Sequence, residues 1–294
     1  MGGMIVKNKK ILVLGASGMA GHTITLYFQK KGYDVTTLTQ NNFNAFPNKN
    51  IVLDVFEREK LESVIKEGNF DSIINCVGIL DELANENPDK AVYLNSYLPH
   101  YLSNLTKDTS TKIIQMSTDC VFSGKKGQYT EYDFKDGETF YDRSKALGEI
   151  INNKDLTFRN SIIGPDINEN GIGLFNWFMK QDKPIRGYSK AMWTGVTTLT
   201  LAKAMEQAIE QNLTGIYNLV NNQSISKYNL LQLFNKYFRN NSLEIEKYDG
   251  VNIDKSLLRT RTDFKFDVPS YEEMVKEMSE WMLANKDYYM HYKL

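Results

Sequence analysis

Apolar and polar positions along the chain fall into alternating short strands and helices. Residues 11–14 form a continuous apolar run, the pattern of a strand buried on both faces of a parallel sheet. Residues 22–31 follow with helical spacing and are closed by Gly32. Residues 33–39 read as a second strand, 41–49 as a polar loop broken by Pro47, and 50–54 as a third strand. A helix over 56–66 ends near Gly68, and 71–77 reads as a fourth strand. Residues 88–106 carry Ala91, Leu94, Leu98, Leu102 and Leu105 at helical spacing, with a kink expected at Pro99. A fifth strand over 112–117, a polar loop over 124–139, a helix over 141–152 and a sixth strand over 156–160 continue the series. Strands alternating with helices predict an α/β fold built on a doubly wound parallel sheet.

Beyond residue 161 the rhythm changes. Gly164, Pro165, Gly171 and Gly173 mark a long loop, and a short aromatic helix holds Phe175, Trp177 and Phe178. Residues 196–198 are expected to return a strand to the main sheet before a helix over 199–210. A strand over 215–220, a helix over 227–238, a strand over 243–248 and a final helix over 270–283 complete the chain. There is no internal repeat and no low-complexity linker, which favours a smaller lobe interwoven with the first over an independent domain.

Composition narrows the class. The 294 residues are 41% hydrophobic and 24% charged, an ordinary globular profile. A formal net charge of −1 gives no electrostatic reason to expect nucleic acid or an anionic membrane as partner. No apolar run approaches the roughly 20 residues of a membrane span, and the N-terminus lacks a signal-peptide core. Cys76 and Cys120 lie far apart and read as free thiols, so a cytoplasmic location is expected. No metal is expected.

The chemistry starts at the first strand's exit. Gly15, Gly18 and Gly21 stand between that strand and the following helix, with Ser17 and Met19 in the same turn. A missing Cβ at Gly18 lets a pyrophosphate approach the main chain, and Gly21 lets the helix lie against the sheet. The helix N-terminus then offers unpaired N–H groups to phosphates. A dinucleotide site is expected in residues 1–160, with 161–294 mostly a substrate-binding lobe.

Three further features point to the same rim. Tyr141 and Lys145 stand four residues apart, so on a helix they share a face. An ammonium beside a phenol lowers its pKa from the usual value of about 10 and makes it a usable proton donor and acceptor. Ser117 and Thr118 sit at the carboxyl end of the fifth strand, where ligands of open α/β sheets bind. A hydroxyl there suits a carbonyl oxygen gaining negative charge, although the same residues also describe a strand-ending turn. Asp54-Val55 and Asn75-Cys76-Val77-Gly78 follow the third and fourth strands, positioned for adenine and ribose contacts.

In order and spacing these residues resemble the extended short-chain dehydrogenase/reductase family: Gly15, Gly18 and Gly21, then Asp54-Val55, Thr118, and Tyr141 with Lys145. Residues 117–124, 129–131 and 144–149 are most similar to its branch that reduces the 4-keto group of nucleotide-linked 6-deoxyhexoses. The resemblance implies a Rossmann-type fold and hydride transfer from a nicotinamide. Thr118 would hold the carbonyl oxygen and Tyr141 would donate the proton. Lys145 would lower the Tyr141 pKa and bind the nicotinamide ribose. Asn95 would at most support them. The resemblance also implies a nucleotide-sugar substrate and admits a homodimer.

Departures from the pattern keep alternatives open. Cys120 stands where the branch usually has tyrosine, and a cysteine there serves epimerisation in a related enzyme, with a histidine partner in the second lobe. Here only His22, His100 and His291 exist, none in the matching stretch. A non-catalytic dinucleotide-binding regulatory subunit is a third reading, against which Thr118, Tyr141 and Lys145 all stand. The second strand ends on Leu38-Thr39-Gln40 without the acidic residue typical of NAD sites, so NADPH is expected, with NADH tolerated. Arg186, Trp193, Arg259 and Arg261 are candidates for the substrate's pyrophosphate or base.

Overall fold

A computed structural model of the protein describes residues 7–43 and 45–292. The first strand, β1 (Lys7–Leu14), ends on four residues that alternate between two cores. Ile11 and Val13 join one apolar cluster and Leu12 and Leu14 join the other, all four fully buried. Burial on both faces is why this run lacks polar alternation.

Around β1 lie β2 (Tyr33–Thr39), β3 (Lys49–Val52), β4 (Ser72–Asn75), β5 (Lys112–Ser117), β6 (Leu156–Arg159) and β10 (Gly215–Asn218). They form a seven-stranded parallel sheet in the order β10-β6-β5-β4-β1-β2-β3. One face is covered by α1 (Met19–Lys30), α8 (Thr198–Glu210) and α10 (Tyr271–Ala284). The other carries α2 (Arg58–Gly68) and α5 (Leu98–Leu105), through Leu61, Leu98 and Leu102. Strand order reverses between β1 and β4, which opens a crevice at their carboxyl ends. The doubly wound α/β architecture is therefore as the pattern indicated.

Residues beyond β6 include the expected aromatic helix, α7 (Leu174–Met179), and also build two small sheets. β8 (Ile185–Trp193) is flanked by β11 (Ile225–Ser226) and β12 (Ile245–Asp254), ahead of which runs α9 (Lys227–Phe238). β7 (Ser161–Ile163) pairs with β9 (Gly195–Thr197). The strand expected to rejoin the main sheet at 196–198 is β9, and it pairs with β7 instead. The sheet edge beyond β6 is already taken by β10.

Two helices also differ from expectation. The helix expected over 88–106 runs unbroken from Pro88 to Leu105, as α4 (Pro88–Ala91), a π turn over Val92–Tyr97 and α5, with every junction residue in helical conformation. Its irregularity is that π turn, which falls just before Pro99, a residue with no N–H to donate. The helix expected over 141–152 is α6 (Phe140–Leu147), which stops at Gly148. A Cβ on Gly148 would lie 1.8 Å from the Asn95 carbonyl oxygen, so only glycine allows this helix end to meet the π turn. The short helix α3 (Asp81–Glu86) and the strands β7 and β11 are additions. No helix among the described residues is long and apolar enough to cross a membrane.

Candidate active site

The turn after β1 is shaped for a close visitor. Gly15 has φ +74°, and a Cβ there would come within 3.1 Å of the Cys76 carbonyl. A Cβ on Gly21 would lie 2.2 Å from the Gly15 oxygen, so α1 rests directly on the turn. At Gly18 the nearest atom to an added Cβ is 3.6 Å away, which leaves the main chain open to a phosphate. Gly18 is also the N-cap of α1 and brings no side chain to cap it.

Gly15, Ser17, Gly18, Thr39, Asp54, Val55, Cys76, Val77 and Gly78 line one cleft of about 650 Å³ at the switch point. Nine of the residues expected to hold a cofactor thus meet in one place. Gly21 lies beneath the turn, and Met19 faces Gly173, whose added Cβ would fall 3.5 Å from the Met19 sulfur. The lining also includes Gln40, already noted at the end of the second strand, and Phe56, Lys90 and Leu94, which sequence reasoning did not assign to a site. Gln40 donates to Asp54 Oδ2 at 2.9 Å and the Phe56 N–H donates to Asp54 Oδ1 at 3.0 Å, fixing that carboxylate. Asn75 accepts from the Val77 N–H at 3.1 Å and so shapes the 75–78 turn. An open glycine turn, a fixed carboxylate and a cleft of this shape fit a nicotinamide dinucleotide.

The catalytic candidates gather beside this cleft. Thr118 follows β5 in extended conformation, and its hydroxyl accepts from the Cys120 N–H at 3.1 Å while donating to Asp119 at 3.1 Å. Tyr141 lies in the first turn of α6, whose start is set by a capping box between Thr139 and Asp142. The Asn85 side-chain oxygen accepts from the Phe140 and Tyr141 N–H groups at 3.1 and 3.3 Å. Lys145, one turn later, donates from Nζ to the Met116 carbonyl at 2.7 Å, which ties α6 to β5.

The electrostatics differ from the simple expectation. Burial pushes the Tyr141 phenol above its ordinary range, and Cys120 and Asp81 add to that, while the Thr118 hydroxyl acts the other way. The expected lowering by Lys145 is not found: its ammonium is turned to Met116. Burial also lowers Lys145 to about 8, against the upward pull of Glu149 and Cys76. Burial raises Cys120 to about 12, with Asp119 reinforcing it, and raises Cys76 to about 12. Both thiols are therefore neutral near pH 7.

Polar residues around this cluster hold it. Asn95, given only a supporting part, donates to the Ile79 carbonyl at 2.9 Å and to Ser144 at 3.0 Å, and accepts from the Ile79 N–H at 3.0 Å. It joins the 78–79 loop to α6. Below it, Arg159 forms a bidentate pair with Glu149, with both contacts at 2.9 Å, and Ser117 donates to Glu149 at 2.7 Å. Burial alone would raise the Glu149 carboxyl, but Arg159, Lys135 and Ser117 hold it below the usual carboxylate range.

The turn, the cleft at the switch point and the Thr118, Tyr141 and Lys145 cluster define an extended short-chain dehydrogenase/reductase. The chain belongs to the family described as the RmlD substrate binding domain, which it matches over residues 9–281. It is similar to the spore coat polysaccharide biosynthesis protein SpsK of Bacillus subtilis, 28% identical over 224 residues that cover 74% of this chain and 76% of that one. It is also similar to the dTDP-4-dehydrorhamnose reductase of Streptomyces griseus, 30% identical over 141 residues. That match covers 47% of this chain and 43% of the reductase, so the likeness reaches less than half of that relative. In fold it resembles the dTDP-4-dehydrorhamnose reductase of Bacillus anthracis in complex with NADP, with TM-score 0.78 and 19% identity over 92% of this chain and 99% of that one.

Proposed function

We propose that the protein is an NADPH-using reductase of a nucleotide-linked 4-keto-6-deoxy sugar, serving the synthesis of cell-surface polysaccharide precursors. The observation that carries this reading is the meeting of Thr118, Tyr141 and Lys145 beside a cleft fitted to a dinucleotide. Residues 1–160 would hold the cofactor and 161–294 most of the substrate. The two neutral thiols suit a reducing, cytoplasmic setting.

When bound, the reduced nicotinamide supplies a hydride to the ketone carbon. Thr118, whose single hydroxyl proton otherwise goes to Asp119, turns it to the carbonyl oxygen as the negative charge there grows. Tyr141, kept protonated by burial, gives its phenolic proton to that oxygen. Lys145 lies one turn behind Tyr141 with its ammonium on the Met116 carbonyl, and its remaining N–H groups offer donors to a ribose hydroxyl. Oxidation of NADPH, followed by absorbance against a panel of dTDP-, UDP- and GDP-linked 4-keto sugars, tests the reading. Turnover of none of them would overturn it.

Cofactor preference follows from the end of β2. No acidic side chain stands at 38–40 to repel a 2′-phosphate, but the Thr39 hydroxyl is already bonded to the Asn41 carbonyl at 2.8 Å, and Gln40 to Asp54. A preference for NADPH with tolerance of NADH is expected, without an arginine clamp to sharpen it. A kcat/KM favouring NADH by about tenfold or more would contradict it.

The Lys145 charge also sets a pH limit. Its pKa of about 8 in the folded chain lies below the ordinary lysine value, so raising the pH through 8 removes the ammonium. Cofactor affinity and kcat/KM should therefore fall above about pH 8. Between that value and about 10.5 the unfolded chain binds more protons than the folded one, so the Lys145 contribution to stability rises over the same window. Activity and stability should move in opposite directions there. A kcat/KM profile that stays flat to pH 9.5 would remove Lys145 from the role.

The epimerase alternative finds little support around Cys120. A thiol held near 12 is a poor base, and His22, the histidine nearest the glycine turn, is bonded to the Gly18 carbonyl and to Tyr289, both at 3.0 Å. Cys120→Ser is expected to keep ketone reduction within about threefold. Deuterium from solvent entering a 4-keto substrate with the wild type but not with this variant would instead establish epimerisation.

A further inference from the structure

A nucleotide sugar also needs an anchor for its diphosphate, and the residues first considered for it are engaged elsewhere. Arg261 donates to the Thr214 and Ile216 carbonyls at 2.7 Å and pairs with Asp263. Arg259 donates to the Phe266 carbonyl, and Trp193 is buried against Tyr271. Arg186 lies over Tyr248 with Glu246 at 3.8 Å.

Two lysines of the same lobe are not engaged in this way. Lys227 opens α9 and Lys255 follows β12. Each is half-buried, and among the described residues neither forms an ion pair or donates a side-chain hydrogen bond. Sheet register places them on either side of one row. Ser226 of β11 and Asp254 of β12 both lie beside Met192 of β8, and because β11 runs antiparallel and β12 parallel to β8, Lys227 and Lys255 stand one step from that row in opposite directions. Two strand spacings across and two residue steps along put their backbones roughly 12 Å apart, within the span of two flexible lysine stems.

That row borders the catalytic corner. The Asp254 N–H donates to the Gly124 carbonyl at 3.1 Å, and a Cβ on Gly124 would fall 3.0 Å from Lys255 Cγ. Lys255 therefore packs on the segment that leaves Thr118 and Cys120. Both ammonium groups also draw the Asp119 carboxyl down against the upward push of burial, which aims their charge at the residue next to Thr118. One carboxylate neutralises at most one of the two cations.

We propose that Lys227 and Lys255 form the subsite that binds the diphosphate of a nucleoside diphosphate sugar. This subsite rests on the reductase reading above and adds the group that anchors the substrate. The lysines hold the phosphate side of the hexose, at C1, while Thr118 and Tyr141 receive the ketone across the ring at C4. Two ammonium groups act on the diphosphate as point charges, so the affinity they supply is sensitive to salt.

The test titrates dTDP, UDP, GDP and inorganic diphosphate separately into the wild type, Lys227→Gln, Lys255→Gln and the double variant. NADPH affinity in each reports that the fold is intact. The wild type should bind at least one nucleoside diphosphate. Each single variant should weaken that binding about tenfold, with a shallower salt dependence, while NADPH affinity stays within about twofold. A double variant that binds NADPH and retains wild-type nucleoside diphosphate affinity overturns the subsite, as does a wild type that binds none of the four. Should the double variant lose NADPH binding, the pair Lys227→Arg and Lys255→Arg decides: retained diphosphate binding supports the subsite and lost binding overturns it. Lysine-dependent diphosphate binding without reduction of any 4-keto nucleotide sugar would sink the reductase reading and support the subsite. Turnover with affinity independent of both lysines would do the reverse.

Discussion

Tyr141→Phe is expected to bind NADPH as the wild type does and to lose turnover by about 10²–10⁴-fold, the usual worth of a positioned proton donor. The ring itself is structural. It sits in a small apolar cluster with Ala84 and Ala91, and phenylalanine keeps that packing. Only the hydroxyl disappears, and with it the proton that the new alkoxide must receive. Thr118 cannot take over, because an aliphatic hydroxyl is a far weaker acid than a phenol. Its hydroxyl is also bonded to Cys120 and Asp119. A rapid-mixing measurement with NADPH and a 4-keto nucleotide sugar would separate hydride transfer from cofactor binding. If the variant kept more than about a tenth of wild-type kcat, the role assigned to Tyr141 would fall. Loss of NADPH affinity together with turnover would instead point to a collapsed cleft.

Much of the main sheet was legible because its central strands are buried. β1 is apolar throughout residues 11–14 for that reason, and β2 at 33–39 and β5 at 112–117, which mix apolar residues with Thr, Gln and Ser, coincide with the sequence reading. The glycine spacing was equally readable, since each missing Cβ answers a steric demand of one turn. Elsewhere the signals were local and polar. α3 begins at Asp81 with φ +41° and runs six residues, too short for periodicity to register. β7 and β9 are three residues each, so nothing in the pattern told that they would pair with one another. Asn85 and Asn95 carry no periodic mark, and their value comes entirely from which N–H and carbonyl groups they meet. The Tyr141 environment was misjudged for a similar reason. Spacing put Lys145 on the same face, but only the fold shows that burial dominates and that Met116 takes the ammonium.

The Glu149–Arg159 pair is the hardest feature to foresee, because the reading of residues 144–149 and of the strand over 156–160 places each residue and says nothing of the ion pair between them. In the fold both side chains are at most 1% exposed. Arg159 also reaches the Thr130 carbonyl and Asn218, both at 3.3 Å, and stacks over Phe122. The pair thereby joins β5, β6, β10 and the end of α6 behind the catalytic corner. Arg159→Met should leave the Glu149 charge buried beside the partly exposed Lys135 alone, and should destabilise the fold by about 3–5 kcal/mol. The pH dependence has a definite sign. In the wild type the Glu149 carboxyl is held below its unfolded value, so its contribution is present above that value and lost as the pH falls through the folded one. Without Arg159 burial dominates and raises the carboxyl, so the deficit of the variant should be largest near neutrality and narrow on acidification. Glu149→Gln combined with Arg159→Met should recover part of the loss, since no unpaired charge then remains in the core. Denaturant unfolding of both singles and the double, at pH 5 and pH 7, measures all of this. A loss below about 1 kcal/mol for Arg159→Met, or a double variant whose loss equals the sum of the singles, would mean that the pair does not act as a unit. Ser117 donates to Glu149 and immediately precedes Thr118, so a real loss of the pair should also lower kcat before the protein unfolds.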